Sequence, residues 1–375
     1  MKLKILIIVN SLEFFLSHRH SLAKELINKN YKVTVITDMN GKLFHDPDIA
    51  FIDFSIDRGS INPFNLIHKA YQLRKLLLKH SYDFYYFASH KSNILGGMAS
   101  FFQFNIPTIF SISGLGYAFI DFGFKARLTK LAILIFYSIF AKQSKSRFVF
   151  QNKDDFKLFL DHRVLHAKKA TIIPGMGVDL KKFQFQLRKP IGSLMPIRVL
   201  FAGRLLKDKG IEEFIQLAKK LKHKNYEFHI SGKLDKENPN AVNVDYFKKC
   251  LKEPNIIYHG HTDFDQMFEL YKATDIFLLP SYREGFPKAA LEAAATGQPL
   301  LMSNVPGCRD CIIDGFNGFL FKRGSIDGME KSLEKISDYK SYKIFSKNSR
   351  EHIEKNFSAQ YIASCYIKVI QSNEF

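Results

Sequence analysis

The chain alternates short apolar runs with segments of helical periodicity over almost its whole length. The first series predicts strand and helix pairs at 3–9 and 18–29, 32–37 and 63–80, 83–88 and 92–103, 107–112 and 125–145, and 147–151 and 153–160. A second series predicts strands over 197–202, 226–231, 255–259, 275–279 and 299–302, with helices over 211–222, 243–252, 264–272, 287–296 and 327–338. Alternation of this kind is typical of parallel sheets with helices on both faces.

At 375 residues the chain exceeds the size of one ordinary core, and the two series predict two domains. A polar stretch with proline and glycine, residues 186–196, separates them. We expect an N-terminal domain over 1–188, a linker over 189–196, a C-terminal domain over 197–352, and a helix within 353–375 that packs back on the first domain. The predicted fold class is α/β, with two doubly wound, Rossmann-like domains facing each other across a cleft.

Positive charge is concentrated in the first half of the chain. Residues 1–190 hold 28 Lys and Arg against 13 Asp and Glu, whereas residues 191–375 hold 27 against 23. Such a surface suits anionic lipid, a phosphorylated acceptor or nucleic acid. The basic residues are dispersed and no RNA or DNA motif accompanies them, which argues against nucleic acid. Tight, salt-sensitive binding of DNA by the purified protein would support a nucleic-acid-binding function instead.

The apolar segments are too short to predict a membrane-spanning helix or an export signal. The opening apolar run stops at Asn10, so we expect a buried strand there and a cytoplasmic protein at the inner face of the plasma membrane. Residues 125–147 contain the run Leu131–Ala141 with basic residues at both ends. A helix apolar nearly all round favours burial in the core, and contact with a bilayer surface is the alternative.

Two carboxylates flank a predicted strand-to-helix turn in the second series. Glu284 follows the strand over 275–279, and Glu292 lies in the helix over 287–296. Ligands of open α/β sheets bind at the carboxyl ends of strands, and the start of the next helix offers N–H groups to a phosphate. Two acids able to accept hydrogen bonds from hydroxyls in that place indicate a sugar nucleotide. The alternative is an ordinary solvated helix.

A glycine and two cations follow the first strand of the same series. Gly203 lets a ligand approach the backbone, Arg204 offers a bidentate fork, and Lys209 offers a point charge. This combination suits a diphosphate, although cations in a loop are most often solvated surface residues. The four cysteines are scattered, and the pair Cys308 and Cys311 has no second pair at metal-binding spacing, so we expect neither a disulfide framework nor a zinc site.

These segments together resemble the retaining glycosyltransferases of family 4, which have the GT-B fold. The resemblance is carried by Gly203-Arg-Leu with Lys209-Gly210, by Glu284 and Glu292 with seven residues between them, and by Asp314-Gly-Phe-Asn-Gly-Phe-Leu320. It implies that Arg204 and Lys209 hold the donor diphosphate, that Glu284 holds the transferred sugar, and that Glu292 holds the ribose. Arg204, Lys209 and Glu284 are then the catalytic residues. Further donor-binding residues implied by the resemblance are Gly203, Ser113, Gly114, Gly285, Phe286 and Pro287.

First-domain motifs suggest a subgroup, the bacterial hexosyl- and N-acetylhexosaminyltransferases that extend undecaprenyl-diphosphate-linked glycans. The motifs are Phe14–Arg19, His90–Gly96, Ser113–Phe119, Phe150–Asp155 and Pro174–Asp179. This resemblance implies a UDP-sugar donor, with GalNAc or another N-acetylhexosamine as the best candidate, and a lipid-linked saccharide acceptor. His18, Arg19 and Lys91 are candidates to bind the acceptor diphosphate, and packing or surface roles are the alternative for each. Ser113 stands where many family members have a histidine.

The family resemblance favours a same-face reaction with retention of configuration, in which the departing phosphate takes the acceptor's proton. That scheme requires no metal and no cofactor. Two other functions stay open: a UDP-sugar 2-epimerase of the same architecture, and a glycosyltransferase with a soluble acceptor. Epimerases usually rely on acid and base residues between the domains. The intact donor motifs of this chain argue against an epimerase. An epimer formed from UDP-sugar without any acceptor would support it.

Overall fold

The computed structural model describes residues 2–56, 63–103, 105–116, 119, 123–187, 195–235, 238 and 240–372. The chain forms two compact units, Met1–Met176 with Ala359–Phe375 and Gly177–Ser358. The second unit begins before the expected boundary at residue 188, because Val178 and Phe183 are buried in its core. Most of the expected linker, up to residue 194, lies outside the described residues.

The first unit contains a parallel sheet whose described strands have the order β3-β2-β1-β4-β5-β6-β7. They are β1 (Lys4–Val9), β2 (Lys32–Thr37), β3 (Ile49–Asp53), β4 (Phe84–Ala88), β5 (Thr108–Ile112), β6 (Ser146–Phe150) and β7 (Ala170–Ile172). The central strands β4 and β5 are buried at every position, as expected for strands covered on both faces. The edge strands β3 and β7 are partly exposed and were not predicted from the sequence.

Helices cover both faces of this sheet. They are α1 (Leu12–His18), α2 (His20–Asn28), α3 (Pro63–Lys79), α4 (His90–Ala99), α5 (Phe124–Ala141), α6 (Lys153–Asp161) and α13 (Ala359–Gln371). The helix expected over 18–29 begins at His20 as α2. Helix α1 precedes it and was not predicted, and the backbone of Arg19 between the two leaves the helical region. The terminal helix α13 belongs to this unit and packs against α2.

The second unit contains another parallel sheet, and its described strands have the order β10-β9-β8-β11-β12-β13. They are β8 (Ile197–Ala202), β9 (Tyr226–Ser231), β10 (Ile256–Tyr258), β11 (Ile276–Leu279), β12 (Leu300–Ser303) and β13 (Gly318–Phe321). The helices are α7 (Ile211–Lys220), α8 (Val244–Cys250), α9 (Phe264–Ala273), α10 (Lys288–Ala295), α11 (Ile326–Glu334) and α12 (Tyr339–Asn356). The prediction of two doubly wound parallel sheets is therefore confirmed.

Helix α5 is buried on one face only. Tyr137 and Phe140 lie in the core, but five large apolar side chains on the other face are between 39% and 76% exposed. These residues form what we call the α5 stripe: Phe124, Leu128, Leu131, Ile135 and Ile139. Their spacing of three or four residues places them along one side of the helix. Within the described parts of the chain, no helix is both long and apolar enough to cross a bilayer.

Candidate active site

Three loops of the second unit meet at the carboxyl ends of β8, β11 and β12. The N–H of Tyr282, after β11, donates to the carbonyl of Asp208, after β8, at 2.8 Å. The N–H of Glu284 donates to the carbonyl of Pro306, after β12, at 3.1 Å. Since these strands are neighbours in the sheet, the backbone bonds fix the loop that carries Glu284 on both sides. This is the edge at which open α/β sheets bind ligands.

Lys209 and Glu284 form an ion pair at this edge. Lys209 Nζ lies 2.6 Å from Glu284 Oε1, and the Ser281 hydroxyl donates to the same oxygen at 2.7 Å. The side chains of the lysine and the glutamate are 17% and 12% exposed. Among the described residues nothing donates to Glu284 Oε2, and an ammonium has three N–H groups. One carboxylate oxygen and two N–H groups are therefore available to a ligand.

Two glycines allow the loops to approach so closely. Gly210 has a φ of +75°, and a Cβ there would lie 2.2 Å from the Pro280 carbonyl oxygen. Gly307 has a φ of +78°, and a Cβ there would lie 2.4 Å from the Glu284 carbonyl oxygen. Any other residue would be strained by the backbone angle and would also collide with backbone atoms. The positions of Lys209 and Glu284 thus depend on these two glycines.

Gly203 and Arg204 occupy the loop after β8. The Gly203 N–H donates to the Ser231 carbonyl at 3.0 Å, which ties the loop to the end of β9. The Arg204 side chain is exposed and is paired with no carboxylate among the described residues. An exposed guanidinium without an acidic partner is available to bind an anion.

The segment before α10 contains the remaining predicted donor-binding residues. Gly285 is half-buried, whereas Phe286 is buried and packs against Phe357 with ring centroids 5.4 Å apart. Pro287 is the N-cap of α10, and its side chain makes no capping hydrogen bond. The positive end of α10 is therefore not neutralised by its own N-cap side chain.

Glu292 is more deeply buried than its predicted contact with a ribose suggests. Its side chain is 7% exposed, and Oε2 accepts a hydrogen bond from the Tyr271 hydroxyl at 3.1 Å. Lys288 Nζ lies 2.7 Å from Oε1. Burial, together with the negative charge of Glu292, raises the pKa of Tyr271 well above its usual value. The structure therefore brings Lys209 and Glu284 into contact and places Glu292 in a separate cluster on α10.

Sequence reasoning missed several residues that shape this site. Ser281 and Gly307 contact Glu284, and the Tyr282 hydroxyl donates to Glu213 at 2.5 Å. The Pro306-Gly307 dipeptide predicts a tight turn at Gly307 and was the available sequence signal for this residue. No motif marks Ser281, although its partner Glu284 lies only three residues further along the same loop.

Cys308 and Cys311 lie close to the site but are buried thiols. Burial raises the pKa of both thiols well above the usual value, and the nearby Glu284 adds to this for Cys308. The Cys311 thiol donates to the Gly307 carbonyl at 3.2 Å. Both cysteines are therefore small residues that pack beneath the loop that carries Glu284.

In the first unit, Arg19 is buried although it is cationic. Its side chain is 1% exposed, and Nη2 donates to the hydroxyls of Ser111 at 3.2 Å and Ser113 at 3.1 Å. Its guanidinium also lies over the rings of Phe14 and Tyr86, with centroid distances of 5.6 and 5.7 Å. The predicted acceptor residue Arg19 therefore holds the predicted donor residue Ser113 by a hydrogen bond.

The other predicted acceptor residues lie at the starts and ends of helices. His18 ends α1, where its ring stacks on Phe14 with centroids 4.4 Å apart and Nδ1 lies 2.5 Å from the Ser17 hydroxyl. Lys91 is half-buried in the first turn of α4. Lys91 follows the carboxyl end of β4 by three residues, whereas His18 is separated from β1 by the whole of α1.

His90 fixes the loop that follows β5. Its Nε2 lies 2.7 Å from the Gly114 carbonyl oxygen, which can only accept, so Nε2 carries the proton. Its Nδ1 therefore accepts from the Tyr137 hydroxyl at 2.9 Å, and that hydroxyl accepts from Asn93 at 2.8 Å. Burial lowers the pKa of His90, against the smaller opposite effect of the bond to Gly114. The neutral imidazole is thus the form that the fold stabilises.

We expect His90→Gln to change the pH dependence of stability. A lowered pKa gives stability that is fully present above the unfolded-state pKa of about 6.5 and is lost as the pH falls below it. In urea unfolding between pH 7.5 and 5.5, the wild type should lose up to about 1.4 kcal/mol per pH unit more than the variant. At pH 7.5 the variant should be less stable by about 1–3 kcal/mol. The exposed His45→Gln is the control, and equal pH profiles for wild type and His90→Gln would contradict this role.

Known protein families match both units. The family model described as "Glycosyl transferases group 1" matches residues 183–352, and the model "Glycosyl transferase 4-like" matches residues 4–152. The chain is 31% identical to the N,N'-diacetylbacillosaminyl-diphospho-undecaprenol alpha-1,3-N-acetylgalactosaminyltransferase of Campylobacter jejuni, over 96% of this chain and 99% of that protein. It is 30% identical to the UDP-Gal:alpha-D-GlcNAc-diphosphoundecaprenol alpha-1,3-galactosyltransferase of Escherichia coli, over 76% and 74% of the two chains.

Solved structures show the same fold. A sucrose-phosphate synthase from Thermosynechococcus elongatus has a TM-score of 0.82 at 19% identity, over 99% of this chain and 98% of that one. Anabaena HepE, solved in complex with UDP and glucose, has a TM-score of 0.76 at 17% identity, over 99% and 100% of the two chains. The fold is thus that of the GT-B glycosyltransferases, as predicted. The chain is a glycosyltransferase and belongs to the group 1 glycosyltransferase family.

Proposed function

We propose that this enzyme transfers an N-acetylhexosamine, GalNAc being the leading candidate, from a UDP-sugar to a saccharide linked to undecaprenyl diphosphate. The observation that carries the proposal is the Lys209–Glu284 pair at the carboxyl edge of the second sheet, which leaves one carboxylate oxygen and two ammonium N–H groups for a ligand. Two relatives whose names specify diphosphoundecaprenol-linked acceptors support the choice of acceptor. The product would be a longer lipid-linked glycan for bacterial surface-glycan or protein-glycan assembly.

Lys209 and Arg204 would bind the donor diphosphate, and Glu284 would bind the sugar. As the bond between the anomeric carbon and the phosphate oxygen breaks, negative charge grows on the diphosphate, where the two cations stabilise it. Each such preorganised donor contributes about 2–4 kcal/mol to transition-state stabilisation. Glu284 Oε2 would accept from a sugar hydroxyl while Lys209 and Ser281 hold Oε1. Glu292 would bind the ribose of the donor, and the N–H groups at the start of α10 would bind a phosphate.

The acceptor oxygen would attack on the face that the leaving group departs from, so that the configuration of the anomeric carbon is retained. A phosphate oxygen of the departing UDP would take the proton of the acceptor hydroxyl, which balances the reaction without a metal ion. In the first unit, His18 and Lys91 would bind the acceptor diphosphate. Arg19 would act on the same edge by holding Ser113, because its guanidinium is buried.

The enzyme would meet its lipid-linked acceptor at the inner face of the plasma membrane. The excess of Lys and Arg in the first half of the chain supports attraction to anionic lipid. The α5 stripe supports contact with the apolar part of the bilayer, because a row of exposed large apolar side chains on one helix face is typical of interfacial helices.

A donor screen tests the proposal. Purified protein is incubated with single UDP-sugars and an undecaprenyl-diphosphate-linked GlcNAc or bacillosamine acceptor, and the products are weighed by mass spectrometry. We expect the acceptor to gain one N-acetylhexosamine from UDP-GalNAc, with an α linkage by NMR. Incubation without acceptor is the control and should leave the donor unchanged. No transfer from any UDP-sugar, or a C2 epimer formed without acceptor, would contradict the proposal.

A further inference from the structure

A cavity lies at the C-terminal end of α5, where this helix meets the connection between α6 and β7. Its volume is about 520 Å³, and part of its wall is Ser138 and Lys142 from the last turn of α5 and the residue after it. Arg163 and His166 from the α6–β7 connection form part of the opposite wall. The remaining lining is apolar or uncharged, and no acidic residue contributes to it.

The basic groups of this cavity have no anionic partner among the described residues. Lys142, Arg163 and His166 are all exposed, and within the described parts of the chain none of them forms an ion pair. Asp161, the last residue of α6, is not part of the lining. Lys142 and Arg163 are cations without acidic partners in the described structure on a concave surface, which attracts and holds an anion, and Ser138 adds a hydroxyl donor.

The position at the C-terminal end of a helix would by itself repel an anion, because the helix dipole is negative there. The positive charge of Lys169 offsets the negative end of this helix dipole. Its ammonium donates to the carbonyl of Ala141 at 2.9 Å and to the carbonyl of Gln143 at 2.5 Å. The last carbonyl of α5 and the carbonyl of Gln143 just after the helix are thus bound by a positive charge, and the Lys142 side chain is available to a ligand. The cavity is therefore net positive although it lies beside a helix C-terminus.

The α5 stripe ends beside this cavity. Ile135 and Ile139 are exposed on α5, and Lys142 follows Ile139 by less than one helical turn. A molecule with an anionic head and apolar tails fits a basic cavity that adjoins an apolar helix face. Its head would lie in the cavity and its tails along the α5 stripe. A free phosphate would use the cavity alone and would leave the five exposed apolar side chains of the stripe in water.

We propose that the cavity at the end of α5 binds the phosphate of an anionic phospholipid headgroup in the membrane on which the enzyme acts. This inference deepens the proposed membrane contact and rests on it. It assigns a specific headgroup site in place of a diffuse attraction between a basic surface and an anionic bilayer. Phosphatidylglycerol has the required chemistry, a phosphodiester with one negative charge beside two acyl chains.

The test is co-sedimentation with vesicles of phosphatidylcholine alone or with added phosphatidylglycerol. The double variant Lys142→Ala/Arg163→Ala removes two cavity cations. The matched control Lys153→Ala/Lys157→Ala removes two exposed cations of α6 outside the cavity, with the same change in net charge. We expect wild type to pellet with phosphatidylglycerol vesicles, the cavity variant to bind roughly tenfold more weakly, and the control to stay within about twofold of wild type. Circular dichroism verifies that both variants fold.

The possible outcomes separate this inference from the membrane proposal. If wild type does not bind phosphatidylglycerol vesicles at all, the membrane contact itself is wrong. If wild type binds and both variants lose the same amount, the attraction is diffuse and the headgroup site is wrong. Inorganic phosphate titrated without vesicles separates the two sources of phosphate. A response to it that only the cavity variant loses, with vesicle binding equal in the two variants, would overturn the lipid assignment.

Discussion

Lys209→Ala is expected to lower kcat/KM for the UDP-sugar by about 10²–10³-fold while leaving the unfolding free energy close to that of wild type. The substitution removes an ammonium that contacts Glu284 at 2.6 Å and has two further N–H groups for the diphosphate. Charge stabilisation of the leaving diphosphate would fall, and one bond that holds Glu284 Oε1 would be lost. The side chain is partly exposed, so its loss leaves no cavity in the core.

Lys207→Ala is the matched control for this prediction. Lys207 lies in the same short turn after β8 as Lys209, and it is exposed. Its removal changes the net charge by the same amount and should change kcat/KM by less than about twofold, in keeping with the small effects of most surface substitutions. Steady-state kinetics with the donor identified in the screen gives both values. Equal losses in the two variants, or normal turnover in Lys209→Ala, would show that Lys209 has no specific role.

Gly307→Ala is expected to lower both stability and activity. The new Cβ would lie 2.4 Å from the carbonyl oxygen of Glu284, on a backbone with a φ of +78°. The left-handed backbone costs about 1–2 kcal/mol for a residue with a Cβ, and the collision adds about 1–3 kcal/mol unless the Glu284 loop moves. A moved loop would displace the carboxylate from Lys209, so we expect kcat/KM to fall at least about tenfold.

Gly315→Ala separates backbone strain from displacement of the site. Gly315 has a φ of +76°, almost the same as Gly307, but no described atom lies within 4 Å of the position that a Cβ would take there. This variant should lose only about 1–2 kcal/mol in urea unfolding and should keep its kcat/KM. The prediction is wrong if Gly307→Ala and Gly315→Ala lose the same stability and the same activity.

The sequence pattern was sufficient for the central strands and most helices of both units. Strands such as β4 and β11 are short, wholly apolar runs, and α7 places Ile211, Phe214 and Ile215 on one buried face. The edge strands β3, β7 and β13 were not predicted, because they are partly exposed and only three to five residues long, so their short apolar runs resemble those of loops. The break between α1 and α2 also has no sequence signal, since Arg19 is an ordinary helix former.

The candidate site was predictable where a motif spans a strand and its following loop. Glu284 and Lys209 lie in such segments, and the structure brings them into contact. The burial of Arg19 was not predictable, because it depends on hydroxyls from Ser111 and Ser113, which are distant in the chain. The same holds for His90, whose partner Tyr137 lies on another helix. Contacts between side chains of distant segments follow from the packing and leave no local pattern.

Calorimetric titration of UDP tests most directly whether the Lys209–Glu284 edge is the donor site. We expect wild-type protein to bind one UDP and Lys207→Ala to bind it within about twofold of wild type. Lys209→Ala should bind it at least about tenfold more weakly, a difference of about 1.4 kcal/mol. UDP binding of wild-type strength in Lys209→Ala, or equal weakening in both variants, would contradict the assignment of the donor diphosphate to this edge of the second sheet.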